Sequence, residues 1–337
     1  MNYSQLGSHG PRVSALGLGC MGMSDMYGPS DRTEGIATLH AALDQGINVL
    51  DTGDFYGMGH NEMLIGEALA SRKRDDLLIS VKFGALRGPN REWGGMDTRP
   101  AAIRNFLAYS LKRLRVDYID IYRPARLDPA VPIEDTVGTI ADLIKAGHVR
   151  YVGLSEVGAK TLRRAQAVHP ICDLQIEYSL ISRGIESEIL PVCRELGIGI
   201  TAYGVLSRGL ISGHWTKDRD NGKDFRSTGP RFQGANLDAN LALVEKLRAI
   251  ANRIGVSVAQ VAIAWVVAQG AARKASILPL IGSRRRDQLS EALGALNVSL
   301  SAEDLVQLER AIPPDAAAGE RYPVAMLAHM DSERPHG

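Results

Sequence analysis

Asn48-Val-Leu-Asp-Thr-Gly-Asp-Phe-Tyr-Gly57 is the stretch of sequence that decides the fold. Its short apolar run ends abruptly in Asp51, which indicates a buried strand whose polar end reaches a functional edge. The phenol of Tyr56 follows in the next loop. A second apolar strand, predicted over residues 77–81, ends in the same way, in Lys82. We therefore expect two successive strand ends to deliver an acid, a phenol and an amine.

The alternation of a short apolar run, a turn and an amphipathic helix continues along the chain. Strands are predicted at about 13–19, 49–51, 77–81, 118–122, 149–154, 174–176, 198–202 and 277–281. Helices are predicted at about 32–45, 61–71, 99–115, 133–146, 160–168, 186–196, 240–254, 258–267, 285–296 and 302–311. No linker or change in composition divides them, so residues 1–337 are predicted to form a single α/β domain, a (β/α)8 TIM barrel. Its active site is expected at the carboxyl ends of the strands.

Three segments lie outside this alternation. An N-terminal β-hairpin is predicted over about residues 1–12, and a tail follows the C-terminal helix over about 313–337. Residues 212–234, after the seventh strand, are rich in Gly, Asp and Arg and too long for an ordinary barrel loop. We interpret them as a mobile flap over the site, which would shape the substrate pocket together with the loop at 93–95.

Composition excludes several classes of function. A net charge of +1 gives no electrostatic field for nucleic acid or membrane surfaces, and no apolar run reaches transmembrane length. The N-terminus lacks an apolar signal core. Cys20, Cys172 and Cys193 are widely spaced and odd in number, so they fit neither a disulfide framework nor a metal cluster. The expected compartment is the cytoplasm, and the oligomeric state stays open.

One tempting motif is rejected on physical grounds. Residues 17–22 read Gly-Leu-Gly-Cys-Met-Gly after a strand, the superficial form of a dinucleotide-binding fingerprint. That fingerprint requires a helix to open at the glycines, because the amides at the helix N-terminus hold the pyrophosphate. Residues 23–31 intervene here before any helix can start. The glycines instead fit a first barrel strand whose backbone a ligand can approach.

Asp51, Tyr56 and Lys82 form a coherent catalytic set. Each residue alone is a weak signal, because most tyrosines and lysines are not catalytic. A phenol with a pKa near ~10 is a poor acid at neutral pH unless a neighbouring cation lowers that pKa. Lys82 at a strand end can supply the cation, and Asp51 can hold the ammonium. We expect Tyr56 to give a proton to a carbonyl oxygen.

A phosphate site is predicted late in the barrel. The run Ile281-Gly-Ser-Arg-Arg-Arg286 closes the last strand and opens a helix. Its amides, Ser283 and the arginines suit a phosphate. A solvated basic helix start is the alternative interpretation of the same run.

These residues resemble the aldo-keto reductase family. The resemblance covers nearly the whole chain and is closest to the bacterial and plant branch that opens with Leu-Gly-Leu-Gly-Cys-Met-Gly-Met, here residues 16–23. The motifs that carry it are Asp51–Gly57, Val81-Lys82, Val152–Glu156, Gln175, Tyr203 with Arg208-Gly209-Leu210, and Gly282–Arg284. It implies NADPH-dependent reduction of an aldehyde or ketone by direct hydride transfer, without a metal.

The resemblance also assigns roles by position. It implies that Tyr56 is the proton donor, tuned by Lys82 and Asp51. The implied cofactor site consists of Met21, Asp51, Ser155, Glu156, Gln175, Tyr203, Gly204, Leu206, Arg208, Gly282, Ser283, Arg284, Gln288 and Glu291. Within that set, Ser155, Glu156 and Gln175 would hold the nicotinamide carboxamide, and Tyr203 would stack on the ring. The 2′-phosphate would fall to Ser283, Arg284 and Gln288, and the adenine to Glu291.

The sequence departs from the family pattern at three places. Glu156 stands where many relatives have Asn, and Ala292 where relatives often have Asn. Ala125 stands where the family has its fourth catalytic residue, a His. An alanine cannot donate a hydrogen bond to the substrate carbonyl, a loss of about one to a few kcal/mol, although the space can also admit a bulkier ketone. We hypothesise that Arg123, which has the same strand parity as Ala125, or a water partly replaces the His.

Two alternatives stay open from the sequence. The chain can be an NADPH-binding regulatory subunit with little turnover, a role that some family members have and that Ala125 favours. It can also be a Schiff-base barrel enzyme that uses Lys82. Tyr56 and the Arg-rich start of the last helix favour the reductase over the Schiff-base enzyme.

Overall fold

The computed structural model describes residues 1–24, 26–218, 224–327 and 330–333. Its strands are β1 (Tyr3–Gln5), β2 (Arg12–Ser14), β3 (Gly17–Gly19), β4 (Val49–Gly53), β5 (Leu78–Phe83), β6 (Ala85–Arg87), β7 (Trp93–Met96), β8 (Ile119–Pro124), β9 (Val149–Ser155), β10 (Ile171–Glu177), β11 (Gly199–Tyr203) and β12 (Ile277–Gly282). Its helices are α1 (Arg32–Asp44), α2 (His60–Ala68), α3 (Pro100–Leu114), α4 (Ile133–Lys145), α5 (Ala159–Val168), α6 (Ile189–Leu196), α7 (Gly234–Ile254), α8 (Val258–Ala272), α9 (Arg286–Gly294), α10 (Ala302–Ala311) and α11 (Val324–Leu327).

Eight of the strands close into a parallel barrel. Their spatial order is β3-β4-β5-β8-β9-β10-β11-β12, and β12 pairs with β3 to complete the ring. The strands are buried on both faces, as parallel strands covered by helices must be. The predicted (β/α)8 barrel is therefore confirmed, and the carboxyl ends of its strands meet at one mouth.

The first predicted strand is two separate elements. Val13 belongs to β2 and pairs with Ser4 in an antiparallel hairpin outside the barrel, whereas β3 begins at Gly17. The hairpin therefore runs over residues 3–14 rather than 1–12. The turn after β3 spans Met21–Met23, and α1 does not begin until Arg32. No helix opens at the glycines, which confirms the rejection of the dinucleotide fingerprint.

Other boundaries differ for local reasons. An antiparallel hairpin of β6 and β7 follows β5 and was not predicted, because its glycines weaken the strand signal. The helix α7 begins at Gly234, six residues before the predicted start, where glycine gave no helical signal. The helix α6 begins at Ile189, since Gly184–Glu186 form a separate 3-10 turn.

The helix α8 shows how the outer layer is held to the barrel. It is apolar on nearly all sides and extends to Ala272, five residues beyond the prediction. Ser257 and Gln260 form a reciprocal capping box at its start. Trp265 is fully buried, with its ring 5.4 Å from that of Tyr178. A helix that is hydrophobic all round is buried rather than amphipathic.

The segment after β11 is more ordered than predicted where the structure describes it. Phe225–Thr228 and Pro230–Phe232 form 3-10 turns. The buried rings of Trp215 and Phe232 lie 4.8 Å apart. Residues 219–223, the centre of the predicted flap, lie outside the described residues.

The described parts of the C-terminal segment, residues 318–327 and 330–333, lie at the mouth of the barrel. Arg231 donates to the Gly319 carbonyl at 3.1 Å, and the Gly158 amide donates to Asp331 at 2.8 Å. Arg321 also pairs with Glu156 and Glu177, and Tyr322 contacts Tyr203, so the segment lies over the carboxyl ends of β9, β10 and β11.

No single helix in the described ranges is both long and apolar enough to span a membrane, and α7 and α8 meet the two criteria only as a pair bent by 87°.

Candidate active site

The structure brings Asp51 and Lys82 together as a buried ion pair. The register of β4 and β5 places Gly53 beside Lys82 and Asp51 beside Ser80. Lys82 Nζ lies 2.5 Å from Asp51 Oδ2. Asp51 Oδ1 accepts hydrogen bonds from Ser80 at 2.8 Å and from Gln175 at 2.7 Å. Ser80 and Gln175 therefore fix Oδ1 of the carboxylate, and Oδ2 faces the Lys82 ammonium.

Tyr56 lies above this pair, in the 3-10 turn that follows β4. Its ring packs edge-on against Phe55, with centroids 4.8 Å apart. Lys82 Nζ is 5.0 Å from the centroid of the Tyr56 ring. Among the described residues, the Tyr56 hydroxyl and Lys82 share no hydrogen bond. The predicted triad is thus assembled with Lys82 against the ring of Tyr56 rather than on its oxygen.

The pKa of Tyr56 departs from its ordinary value in the direction opposite to the prediction. Burial raises it well above 10.0, Asp51 raises it further, and Arg126 lowers it in part. The expected lowering by a cation is outweighed because the phenolate would be desolvated. Burial lowers the pKa of Lys82, against the opposing effect of Asp51. Tyr56 therefore carries its proton at neutral pH.

Ala125 and Arg123 occupy different parts of the site. The Ala125 amide donates to the Phe83 carbonyl at 2.8 Å, which places the residue at the mouth beside the end of β5. Arg123 points into the barrel, as its parity predicts, and is fully buried. Its guanidinium contacts Asp173 at 2.7 Å and Asp51 at 3.3 Å. Both ion pairs lie inside the barrel, so they give no support to the hypothesis that Arg123 partly replaces the His as a carbonyl donor, and that hypothesis stays a prediction.

Arg126 is a site residue that the sequence did not single out. Its Nη1 donates to the Ala125 carbonyl at 2.6 Å, and its charge acts on Tyr56, Tyr203 and Glu156. The available signal was its position: it is the first cation after the position where the His is missing.

Two residues expected at the nicotinamide carboxamide have unused hydrogen-bonding capacity. Ser155 Oγ is buried and has no partner among the described residues. Gln175 donates an amide N–H to Asp51, and in the described structure its carbonyl oxygen accepts no hydrogen bond. A carboxamide can supply a donor to Gln175 and either a donor or an acceptor to Ser155. These residues therefore fit the nicotinamide group.

Glu156 is placed at the site but is already fully engaged. Its carboxylate accepts from Tyr203 at 2.7 Å, from Ser332 at 2.7 Å, and from Arg321 at 2.9 and 2.5 Å. Burial raises its pKa, but Arg321 and other donors outweigh that effect and hold the pKa below 4.5. Its backbone adopts a left-handed φ of 53°, which is uncommon for a residue other than glycine. A direct contact with the carboxamide would have to displace one of these donors.

Tyr203 and Arg208 connect the site to the C-terminal segment. The Tyr203 hydroxyl is 2.8 Å from that of Tyr322. Arg208 pairs with Glu177 at 3.0 Å, donates to the Arg321 carbonyl at 3.0 Å, and lies 4.3 Å from the centroid of the Tyr322 ring. Sequence reasoning placed residues 313–337 in a tail and gave no role to Arg321 or Tyr322.

The remaining predicted cofactor residues line the same mouth. Met21 begins the turn after β3, and Gly204 follows β11 with a φ of 65°. Leu206 precedes a 3-10 turn and packs partly buried against the core.

The predicted phosphate end lies at the start of α9. Gly282 is exposed, and Ser283 Oγ is buried with no partner in the described structure. Gln288 accepts from the Arg284 amide at 3.2 Å, and the Arg284 side chain donates to the Tyr27 and Pro29 carbonyls. The unpaired hydroxyl beside a helix N-terminus fits a phosphate.

Three charged groups here have protein partners. Arg285 pairs with Asp287 at 2.7 Å and Arg286 with Glu34 at 2.9 Å. Glu291, expected at the adenine, lies 3.0 Å from His214. Arg284, the first arginine of the predicted basic run, stands next to Ser283 and two residues before α9 begins.

Known proteins share both the sequence and the architecture. The model of the Aldo/keto reductase family matches residues 15–313. A probable aldo-keto reductase 1 from Glycine max is 42% identical over 321 residues, which cover 94% of this chain and 91% of the relative.

Two solved structures have the same fold. The glycerol dehydrogenase from Gluconobacter oxydans superposes with a TM-score of 0.82 at 28% identity, covering 99% of this chain and 97% of its own. A thermostable aldo-keto reductase in complex with the inhibitor epalrestat gives a TM-score of 0.73 at 27% identity, covering 92% and 100%. The chain therefore belongs to the aldo/keto reductase family, whose members are oxidoreductases of carbonyl compounds that use nicotinamide cofactors.

Proposed function

We propose that this protein reduces an aldehyde or ketone to an alcohol with NADPH, by direct hydride transfer. The observation that carries the proposal is the buried pair of Asp51 and Lys82, 2.5 Å apart, beneath Tyr56 at the barrel mouth. When bound, the nicotinamide supplies the hydride that reaches the carbonyl carbon. The chain supplies the proton and the positions of the groups.

Tyr56 holds that proton on its phenolic oxygen. Because its pKa lies well above 10.0, the hydroxyl is protonated at neutral pH and has to be activated at the moment of transfer. The Lys82 ammonium, 5.0 Å from the ring centroid, stabilises the phenolate that transfer leaves behind. Asp51 fixes Lys82, and Ser80 and Gln175 fix Asp51.

The choice of NADPH rests on the two ends of the predicted cofactor site. Ser155 and Gln175 offer unused hydrogen-bonding capacity for a carboxamide. Ser283 and Arg284, beside the N-terminus of α9, suit the charge of a 2′-phosphate.

Aromatic side chains line the approach for the substrate. Phe55 packs on Tyr56, and the half-exposed Trp93 lies 5.8 Å from Phe55. With Ala125 in place of a larger side chain, the site can admit a ketone with substituents on both sides. A Schiff-base role for Lys82 is disfavoured, because the amine is buried and paired with Asp51.

A second candidate is an NADPH-binding regulatory subunit with little turnover. Ala125 favours it, since this side chain offers the carbonyl no donor. Placement in the cytoplasm belongs to both proposals, and three free, buried cysteines are consistent with a reducing compartment.

Turnover assays separate the two candidates. NADPH oxidation is followed against a panel of aldehydes and ketones with wild type, Tyr56→Phe and Ala125→His, and NADPH binding is measured in parallel. We expect wild-type turnover that falls by about 10²–10⁴-fold in Tyr56→Phe with unchanged NADPH affinity. Tight NADPH binding without turnover in wild type would instead support the regulatory candidate. In Ala125→His, a gain would show that the missing donor limits the rate, and a loss would show that the space serves the substrate.

A further inference from the structure

A second buried ion pair lies inside the barrel beneath the active site. Arg123 on β8 donates through one nitrogen to both oxygens of Asp173 on β10, at 2.8 and 2.7 Å. Both side chains are fully buried. Nothing in the proposed chemistry so far uses this pair.

The barrel is shaped to accommodate the pair. Gly153, on β9 between the two strands, is paired with Asp173 in the sheet. A Cβ on Gly153 would come within 2.6 Å of Asp173 Oδ1 and 2.8 Å of Arg123 Nε. The absence of a side chain at this position therefore opens the space through which the two charges meet.

The pair is connected to the catalytic carboxylate. Arg123 Nη1 lies 3.3 Å from Asp51 Oδ1, while Lys82 lies on the other oxygen of Asp51. Thr201 on β11 donates to Asp173 Oδ2. Lys82, Asp51, Arg123 and Asp173 thus form a series of alternating charges that ends at the site.

Stability alone is a poor explanation for this series. Burying two charges costs desolvation energy, and well-packed apolar side chains often do as well or better. Arg123 Nε has no hydrogen-bond partner in the described residues, which adds to the cost. The geometry instead gives Arg123 an electrostatic effect on Asp51, and this effect can explain why the charges are buried here.

Resting on the proposed function, we propose that Arg123, held by Asp173, is a positioning residue that sets the charge balance of the Asp51–Lys82 pair. With Ser80 and Gln175 it occupies Oδ1 of Asp51 and leaves Oδ2 to the ammonium. Its positive charge also opposes that of Lys82. Asp173 is farther from Lys82 along the series and offsets this effect only in part.

The groups that face the series from each packed strand are few. Among the described residues they are Cys20 after β3, Asp51 on β4, Tyr56 after β4, Ser80 and Lys82 on β5, Arg123 on β8, Cys172, Asp173 and Gln175 on β10, and Thr201 on β11. Burial raises the pKa of both thiols, so they stay neutral. The positive charge of Arg123 lowers the pKa of Lys82, as expected when two cations lie on the same carboxylate.

Two variants test the proposal in opposite directions. Asp173→Asn leaves the Arg123 charge without its counter-ion, so the alkaline limb of kcat/KM for carbonyl reduction moves to lower pH. Arg123→Met with Asp173→Asn removes both charges and leaves no unpaired one, so the limb moves to higher pH, by about half a unit to one unit. Arg123→Lys keeps the charge and stays near wild type.

If the pair is merely structural, the variants will have a lower melting temperature but the alkaline limb of kcat/KM will not move in any of them. That result would overturn the inference. If Asp173→Asn does not fold, the double variant alone decides. An NMR titration of the Lys82 ammonium, assigned with Lys82→Met, reads the same displacement without turnover. Wild type that reduces no carbonyl would therefore contradict the proposed function, and an unmoved Lys82 titration would contradict this inference.

Discussion

Arg321 forms a two-point ion pair with Glu156, Nη1 to Oε1 at 2.9 Å and Nη2 to Oε2 at 2.5 Å, across the carboxyl end of β9. One partner comes from the C-terminal segment and the other directly follows a barrel strand. The pair joins residues 165 positions apart and lies beside Tyr203, where the nicotinamide is expected. The C-terminal segment is therefore part of the wall of the site.

Arg321→Met should destabilise the protein by about 3 kcal/mol at neutral pH, because it leaves the buried Glu156 carboxylate without its main counter-ion. The matched control is Arg163→Met, which breaks a solvent-exposed pair with Glu195 and should change the stability far less. Denaturant unfolding of both variants measures the difference.

The same comparison has a pH dependence of known sign. The pair holds the pKa of Glu156 below its ordinary value of 4.5, so its stabilisation is present above that value and is lost as the pH falls through the folded pKa. The difference between wild type and Arg321→Met should therefore shrink in acid. A difference that is independent of pH would show that Arg321 acts through packing and not through charge.

Arg126→Met should raise the pKa of Tyr56 further, because the Arg126 charge opposes the upward shifts caused by burial and by Asp51. We expect kcat at neutral pH to fall about 10-fold, with Arg126→Lys largely restoring it. Steady-state pH profiles measure this. An identical loss in the Met and Lys variants would indicate a steric role instead.

Arg284→Met should weaken NADPH binding about 10- to 100-fold, the range for one lost charge-assisted hydrogen bond. The side chain already lies at the start of α9, where it donates to the Tyr27 and Pro29 carbonyls. NADH, which lacks the 2′-phosphate, is the matched control ligand. Equal weakening of both cofactors in a binding titration would assign Arg284 to holding residues 27–29 and not to the phosphate.

Asp54→Asn should stabilise the protein at neutral pH by about 2–4 kcal/mol. Burial raises the pKa of Asp54 from 3.8 to about 7. The native state therefore keeps a proton that the unfolded state releases, so wild-type stability falls as the pH rises from about 4 to about 7. Unfolding free energies measured across this range should show a slope in wild type and a flatter line in the variant. Parallel lines would contradict the assignment to Asp54.

Much of the fold follows from the sequence because its signals are local. Consecutive residues are enough to identify the short apolar runs, the helices that end in glycine and the acidic end of β4. The alternation of these runs and helices predicts the barrel. The β6–β7 hairpin escaped because Gly94 and Gly95 carry no strand preference. Asp51 and Lys82 were found for the same local reason, since each directly ends or follows an apolar run.

The rest of the site depends on contacts between distant parts of the chain. Arg321 forms an ion pair with Glu156, and Arg123 with Asp173, only because the fold brings distant strand ends and segments together in space. The upward shift of the Tyr56 pKa has a similar origin, because burial of the phenol is a property of the packed mouth. A sequence motif identifies Tyr56 as an acid, but it does not show how far the folded structure shields the phenol from water.

The most direct test of the proposed reaction follows the hydride itself. NADPH that carries deuterium at the transferable position of its nicotinamide is reacted with an aldehyde or ketone that the enzyme turns over, and the alcohol is analysed by mass spectrometry and NMR. Direct transfer predicts one deuterium on the carbinol carbon, with the rate of formation strongly reduced in Tyr56→Phe. An alcohol without that deuterium, or one formed equally fast without Tyr56, would contradict it.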